Sequence, residues 1–160
     1  MPKLETAANV AAIVATCLLV AVVVRREFRS QQTTSNAVIG RPLKIPGAEW
    51  PRSNNTIVIA LSVSCHYCKD SAQFYRRIER ESCQVGTSVE IVSPQDPATT
   101  RAFLESLDIH FQTIRTVRLS QIGVRGTPTI LLIDREGKVV KTWFGALDQA
   151  RQREVLSSLN

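Results

Sequence analysis

The chain has 160 residues, 44% hydrophobic and 21% charged, with 7 Gly and 7 Pro, a composition that excludes a disordered or fibrous protein and leaves room for one domain plus an appendage. Its net charge of +6 comes from Lys and Arg dispersed among acidic residues, as at Arg76, Arg77, Arg101, Arg115, Arg118 and Arg135; no basic stripe interleaves with aromatics, so no nucleic-acid partner is expected. Four cysteines, one of them inside an apolar segment, are too few for a disulfide-stapled scaffold.

After a short tail over residues 1–5, the segment 6–24 is uncharged and nearly all Ala, Val, Leu and Ile. At about 1.5 Å per residue it just spans a hydrocarbon core of about 30 Å, which predicts a transmembrane anchor. A cleaved signal peptide is the rival reading, but no small-x-small site follows the apolar run, which ends directly in Arg25-Arg26. Cys17 reads as a small membrane-facing residue. Residues 25–37, closing on SQQTTSNA, lack periodicity and apolar anchors and are expected to form a linker. The folded part is expected over 38–160. Its lead-in is loop-rich, punctuated by Pro42, Pro46, Gly47 and Pro51, with room for one short strand and with Trp50 capping the core.

The stretch TIVIALS, 56–62, is short, β-branched and apolar on both faces, which predicts a central buried strand. A helix is expected from Cys65 to Glu81, with Ala72, Phe74, Tyr75 and Ile78 on its apolar face and Lys69, Asp70, Arg76, Arg77 and Arg80 on its wet one. SVEIVSP, from Ser88, is the next strand. Asp96-Pro97 then supplies an N-cap followed by proline at the first helical position, opening a helix to about Leu107 that buries Ala102, Phe103, Leu104 and Leu107. TPTILLIDREGKVVKTWFG, 127–145, is two apolar runs joined by a turn with Asp134 and Gly137, which predicts an antiparallel hairpin, and a last helix starts near Asp148. Strands alternating with helices and ending in hairpin and helix imply an α/β fold with a mixed sheet and helices on both faces.

Cys65-His66-Tyr67-Cys68 is a C-x-x-C pattern, which by itself serves both metal and redox chemistry. It stands where a buried strand gives way to a helix, and it is followed much later by RGTPT at 125–129 and by DREGKVV at 134–140. That order resembles the thioredoxin superfamily, over roughly 38–160, and within it the membrane-anchored, redoxin-type thiol–disulfide proteins of bacteria. The resemblance implies a thioredoxin-like mixed sheet and an enzyme, a thiol–disulfide oxidoreductase acting on a protein dithiol or disulfide substrate and recharged by a redox partner. It implies no cofactor beyond a redox-active Cys65-Cys68 disulfide. It also implies that the Thr127-Pro128 bond is cis and faces the cysteine pair, so that Thr127 and Pro128 contact substrate, with Arg125 on the same rim. The chain departs from thioredoxin itself at Ser64 in place of Trp, at the His-Tyr dipeptide in place of Gly-Pro, and at Ile59 in place of a buried Asp. These departures point to a dedicated partner rather than to general disulfide reduction.

At the start of a helix Cys65 meets free N–H groups and the positive end of the macrodipole, which favour its thiolate and make it the expected nucleophile. Cys68, one turn on and more buried, is the expected resolving thiol. His66, adjacent to the nucleophile, modulates it when protonated; the plain alternative is an exposed loop histidine. Two rival functions are weighed. A peroxiredoxin-like thiol peroxidase would use Cys65 against peroxide, but Val58 and Ser62 stand where such enzymes have Pro and Thr. A non-enzymatic metal-binding module would use Cys65 and Cys68 as ligands. However, Cys83 lies about 15 residues and over about 20 Å of helix beyond Cys68. His110, the remaining histidine, has no paired spacing, so no metal is expected. Cys83 is expected to be a small buried residue and His110 a loop or helix-end residue.

Charge and resemblance disagree on topology. Lys3 and the amino terminus face Arg25, Arg26 and Arg29 across the span, which points the domain inward. The resemblance points it outward, to the oxidising compartment. The expectation is a single-pass membrane protein with its domain on the extracytoplasmic side.

Overall fold

A computed structural model of the chain describes residues 16, 18–20, 38–51 and 54–159. The chain divides into two compact units, Met1–Thr34 and Ser35–Asn160. In the first, Thr16 and residues 18–20 are helical. The expected anchor over 6–24 and linker over 25–37 otherwise lie outside the described residues, among which no helix is long and apolar enough to cross a membrane.

The second unit is built on a five-stranded sheet in the order β3-β2-β1-β4-β5. Strand β1, Thr56–Ala60, is buried at every residue and occupies the centre, as its two-sided apolar sequence predicts. It pairs in parallel with β2, Ser88–Ser93, and antiparallel with β4, Thr129–Ile133. β4 turns through Asp134 and Gly137 into β5, Val139–Phe144, as an antiparallel hairpin. The edge strand β3, Thr113–Thr116, pairs in parallel with β2 and was not expected. Its four residues are partly exposed and include Arg115, so no apolar alternation announces it.

The expected first helix is two. α1, His66–Asp70, and α2, Ala72–Val85, are separated at Ser71, whose Oγ donates to the Tyr67 carbonyl at 2.8 Å. Such back-bonding bends helices. α3, Pro97–Glu105, and α4, Gln149–Ser157, each begin on an aspartate cap, Asp96 accepting from the Thr99 N–H and Asp148 from the Arg151 N–H, both at 2.9 Å. α3 is shorter than expected and leaves Ala102 exposed, its buried side being carried by Thr100 and Leu104 with Phe103 and Leu107 half-buried.

The two faces of the sheet are covered differently. Ile57, Ile59, Ile91, Ile130, Leu132 and Trp143 form one core with residues of all four α-helices. Both parallel connections, β1 to β2 and β2 to β3, step in the same direction, and right-handed crossovers then lay their helices on the same face. The other face, with Val58, Ala60, Val92, Leu131 and Ile133, is covered by Val38, Leu43 and Ile45 of the lead-in and by a 3₁₀ helix, Leu119–Ile122. The helical cover expected there is therefore a single 3₁₀ turn. The lead-in is stitched to the hairpin by Gly40 N–H to the Val139 carbonyl, Leu43 N–H to Gly137 and Val139 N–H to Arg41, at 2.8–3.0 Å. Trp50 is half-buried against this second core. It lies over Gly137, whose φ of 80° and lack of a side chain permit the contact, since a Cβ there would stand 2.5 Å from Trp50 Cδ1.

Candidate active site

The carboxyl end of β1 delivers the cysteine pair. Leu61 N–H still bonds to the Val92 carbonyl at 3.0 Å, after which the chain turns and Cys65 N–H donates back to the Ser62 carbonyl at 3.0 Å. Cys65 is the N-cap of α1, with extended backbone, and its sulfur accepts the Cys68 N–H at 3.3 Å. Cys65 is half-buried and Cys68 fully buried, both as free thiols.

From across the sheet the loop before β4 completes the arrangement. The Cys65 thiol donates to the Thr127 carbonyl at 3.2 Å, the Thr127-Pro128 bond is cis, and Pro128 is buried. The loop is fixed by Thr129 Oγ1 donating to the Gly126 carbonyl at 2.7 Å and by Gly145 N–H donating to that of Pro128 at 2.8 Å. Cys65, Cys68 and Thr127 are thus brought together, with Pro128 next in the chain. Arg125 is exposed two residues before Thr127.

His66 is brought close in sequence but turned elsewhere. Its Nε2 lies 3.1 Å from Asp70 Oδ2, with the side chain 79% exposed, and its ring meets that of Tyr67 edge-on. Tyr67 and Lys69 are exposed. Cys83, expected to be buried, is exposed. The face of α2 that reaches the core runs through Tyr75, Ile78 and Ser82, and Cys83 falls one position past it. His110 is exposed, and its backbone N–H donates to Glu79 Oε1 at 2.9 Å. Among the described residues no group of three or more His, Cys, Asp or Glu side chains is placed to hold a metal ion.

The two sulfurs have opposite electrostatics. Burial would raise the pKa of Cys65, but the hydrogen bonds it receives from the side chains of Cys68 and Thr127 and from the Cys68 and Tyr67 backbone outweigh it, and the net shift is downward. For Cys68 burial dominates, and with its hydrogen bond and charge repulsion from Cys65 it pushes the thiol up to about 12. One sulfur is prepared as an anion and the other is held as a thiol.

A residue that the pattern of cysteines does not reveal fixes this geometry. Gln95 accepts the Val63 N–H at 3.3 Å and the Ser93 hydroxyl at 2.8 Å through Oε1, and its Nε2 donates to Ser62 Oγ at 3.2 Å. Ser62 and Ser64 hydroxyls lie 3.1 Å apart. The loop after β2 therefore clamps the turn that carries Cys65. The available signal was topological, because the ends of adjacent parallel strands share one edge of the sheet.

The thioredoxin-like domain family matches residues 51–160. No protein of curated function matches the sequence. Among solved structures, the Chlorobium tepidum protein described as a thiol:disulfide interchange protein DsbE superposes with a TM-score of 0.59 at 21% identity, covering 76% of this chain and 99% of that one. A thiol-disulfide isomerase from Corynebacterium glutamicum gives 0.54 at 18% identity, covering 76% and 91%. The exposed lipoprotein thioredoxin Etrx1 from Streptococcus pneumoniae gives 0.53 at 24% identity, covering 66% and 85%. At these identities the likeness is one of fold, and it agrees with the domain match over most of the second unit: the chain belongs to the thioredoxin-like domain family.

Proposed function

We propose that this thioredoxin-family thiol–disulfide oxidoreductase exchanges disulfides with a dedicated protein partner, Cys65 attacking and Cys68 resolving. The observation that carries the reading is the capped, half-exposed Cys65 sulfur, which accepts the Cys68 N–H and lies against Thr127 while Cys68 stays buried behind it. The Cys65 thiolate attacks a partner disulfide; a Cys65–partner disulfide forms, and the partner's other sulfur leaves as a thiolate and takes a proton from water. Cys68 then loses its proton and attacks Cys65 Sγ. The Cys65–Cys68 disulfide forms, the second partner thiolate is expelled, and two electrons have passed to the partner. A second protein supplying two electrons, with two protons from water, restores the dithiol, and no further cofactor takes part. Thr127 and Pro128 form the wall against which the partner's chain lies. His66, paired with Asp70, adds positive charge near the nucleophile when protonated. The apolar run supports a single membrane anchor at 6–24, and disulfide chemistry, against the flanking charges, supports placing the domain on the extracytoplasmic side.

Cys68→Ser is expected to accumulate a covalent complex with the partner, visible on non-reducing electrophoresis of membranes. Cys65→Ser is expected to trap none, and Cys83→Ser to change neither result. Equal trapping by Cys65→Ser and Cys68→Ser would refute the division of roles.

A further inference from the structure

Tyr75 lies on α2 seven residues after Cys68, across the break at Ser71 that separates the two helices. It is 1% exposed and belongs to the same buried cluster as Cys68. Aromatic side chains on helices lean toward the amino end, which carries the phenol back past Ser71 toward the cysteine pair. Its hydroxyl completes no hydrogen bond among the described residues, although the side chains of Ser71 and Cys68 bear on it. Ser71 already spends its proton on the Tyr67 carbonyl, at 2.8 Å, and so offers Tyr75 only lone pairs.

A buried hydroxyl without a partner is costly, and an apolar ring would fill the same space without that cost. The Ser62 backbone and the Thr127 side chain also bear on Cys68 and favour its anion. β1, β2, α3 and β4 also bury Thr56, Glu90, Ser93, Thr100 and Thr129, and β5 contributes Trp143, whose Nε1–H is turned to Glu154 at 2.8 Å. Among the apolar residues packed around Cys68, those that titrate are Cys65 and Tyr75.

We propose that the Tyr75 hydroxyl is a further hydrogen-bond donor that stabilises the Cys68 thiolate during resolution. This rests on the exchange reading above. While Cys68 keeps its proton, the hydroxyl stays without a completed hydrogen bond. Once Cys65 is held in a mixed disulfide, Cys68 gives its proton to a solvent base and the phenol turns to the new anion. The thiolate attacks Cys65 Sγ, the Cys65–partner bond breaks as the Cys65–Cys68 bond forms, and the expelled thiolate takes up a proton from water. Tyr75 keeps its own proton throughout. Burial, followed by repulsion from a Cys68 anion, holds the phenol far above its ordinary range, so it acts as a donor and not as a base.

The test uses the full chain in detergent, carrying Cys17→Ser and Cys83→Ser, with Ellman's reagent as the disulfide. Attack by Cys65 releases one nitrothiobenzoate and resolution by Cys68 releases the second. Tyr75→Phe is expected to leave the first phase unchanged, to slow the second about tenfold, and to raise its pH midpoint by about one unit. Its melting temperature should equal or exceed the parent's, because only an unsatisfied hydroxyl is lost. A second phase with the parent's rate and pH profile would overturn the role of Tyr75. Absence of a second phase in the parent itself would overturn the exchange reading, and the Tyr75 role with it. Should Tyr75→Phe fail to fold, 3-fluorotyrosine in a Tyr67→Phe background supplies a stronger donor at position 75. It is expected to speed the second phase and lower its midpoint relative to unlabelled Tyr67→Phe, and no change would again overturn the proposal.

Discussion

Two sulfurs three residues apart are given opposite tasks by one turn of helix. Cys65 takes the cap position and collects hydrogen bonds, whereas Cys68 points into a dry cluster. The reduced protein should therefore be alkylated by iodoacetamide first at Cys65, with a pH midpoint below the 9.0 of an ordinary thiol, while Cys68 stays unmodified until far more alkaline pH. Peptide mass spectrometry across a pH series measures both. Simultaneous labelling would contradict the asymmetry. Stability follows with a definite sign. Folded Cys65 releases its proton earlier than the unfolded chain does, so it contributes stability above the unfolded pKa that is lost as pH falls through the folded one. Cys68 does the reverse. Between pH 9.0 and about 12 the unfolded chain sheds a proton that the folded one keeps. Melting temperature should therefore fall over that window, and fall less in Cys68→Ala.

At the scale of elements, the site depends on the loop before β4 holding its distance from the capped sulfur. Gly126 packs so closely on β5 that a Cβ there would stand 2.7 Å from Phe144 Cε2. Gly126→Ala should displace either the ring or the Thr127 carbonyl, and small misplacements near reacting atoms are expensive. Exchange with a disulfide substrate is expected to slow about tenfold while the melting temperature changes little, as stopped-flow and calorimetry would record. Full exchange activity would show that this contact does not set the loop. Elements such as β1, the cap at Asp96, the helix start near Asp148 and the β4–β5 hairpin were legible because each carries its own local pattern. β3 was not, since TIRT has no alternation and becomes a strand only because β2 offers it an edge. The break at Ser71 depends on one side chain competing for a helix carbonyl. Of the site, the cysteine pair was readable as a pattern, and the Thr127-Pro128 turn only through the family resemblance. Gln95 was not, because its partners Ser62 and Val63 lie more than 30 residues away in sequence. Cys83 was misplaced because a one-position shift around a helix, about 100°, separates core from solvent.

For the whole molecule, the proposed anchor at 6–24 would let the side of the membrane on which the domain lies decide which partners it can meet. Lys3 opposes Arg25, Arg26 and Arg29 across the apolar segment, an arrangement that favours the inside, while disulfide chemistry favours the oxidising side. A dual reporter fused after Asn160 is expected to be active only outside the cytoplasm. Activity confined to the cytoplasm would reverse the assignment and replace periplasm-like partners with cytoplasmic ones.

The stitching of the lead-in to the hairpin also has a mechanical meaning. Residues 38–43 are bonded to Gly137 and Val139, on the face of the sheet opposite the α-helices. Tension applied through anything that precedes Val38 enters the domain at the β4–β5 turn. It is shared there among several backbone hydrogen bonds before it can reach the segment from Ser62 to Cys68. Tension arriving through the chain before Val38 would thus be met first by the bonds of the lead-in, with the cysteine turn still clamped by Gln95.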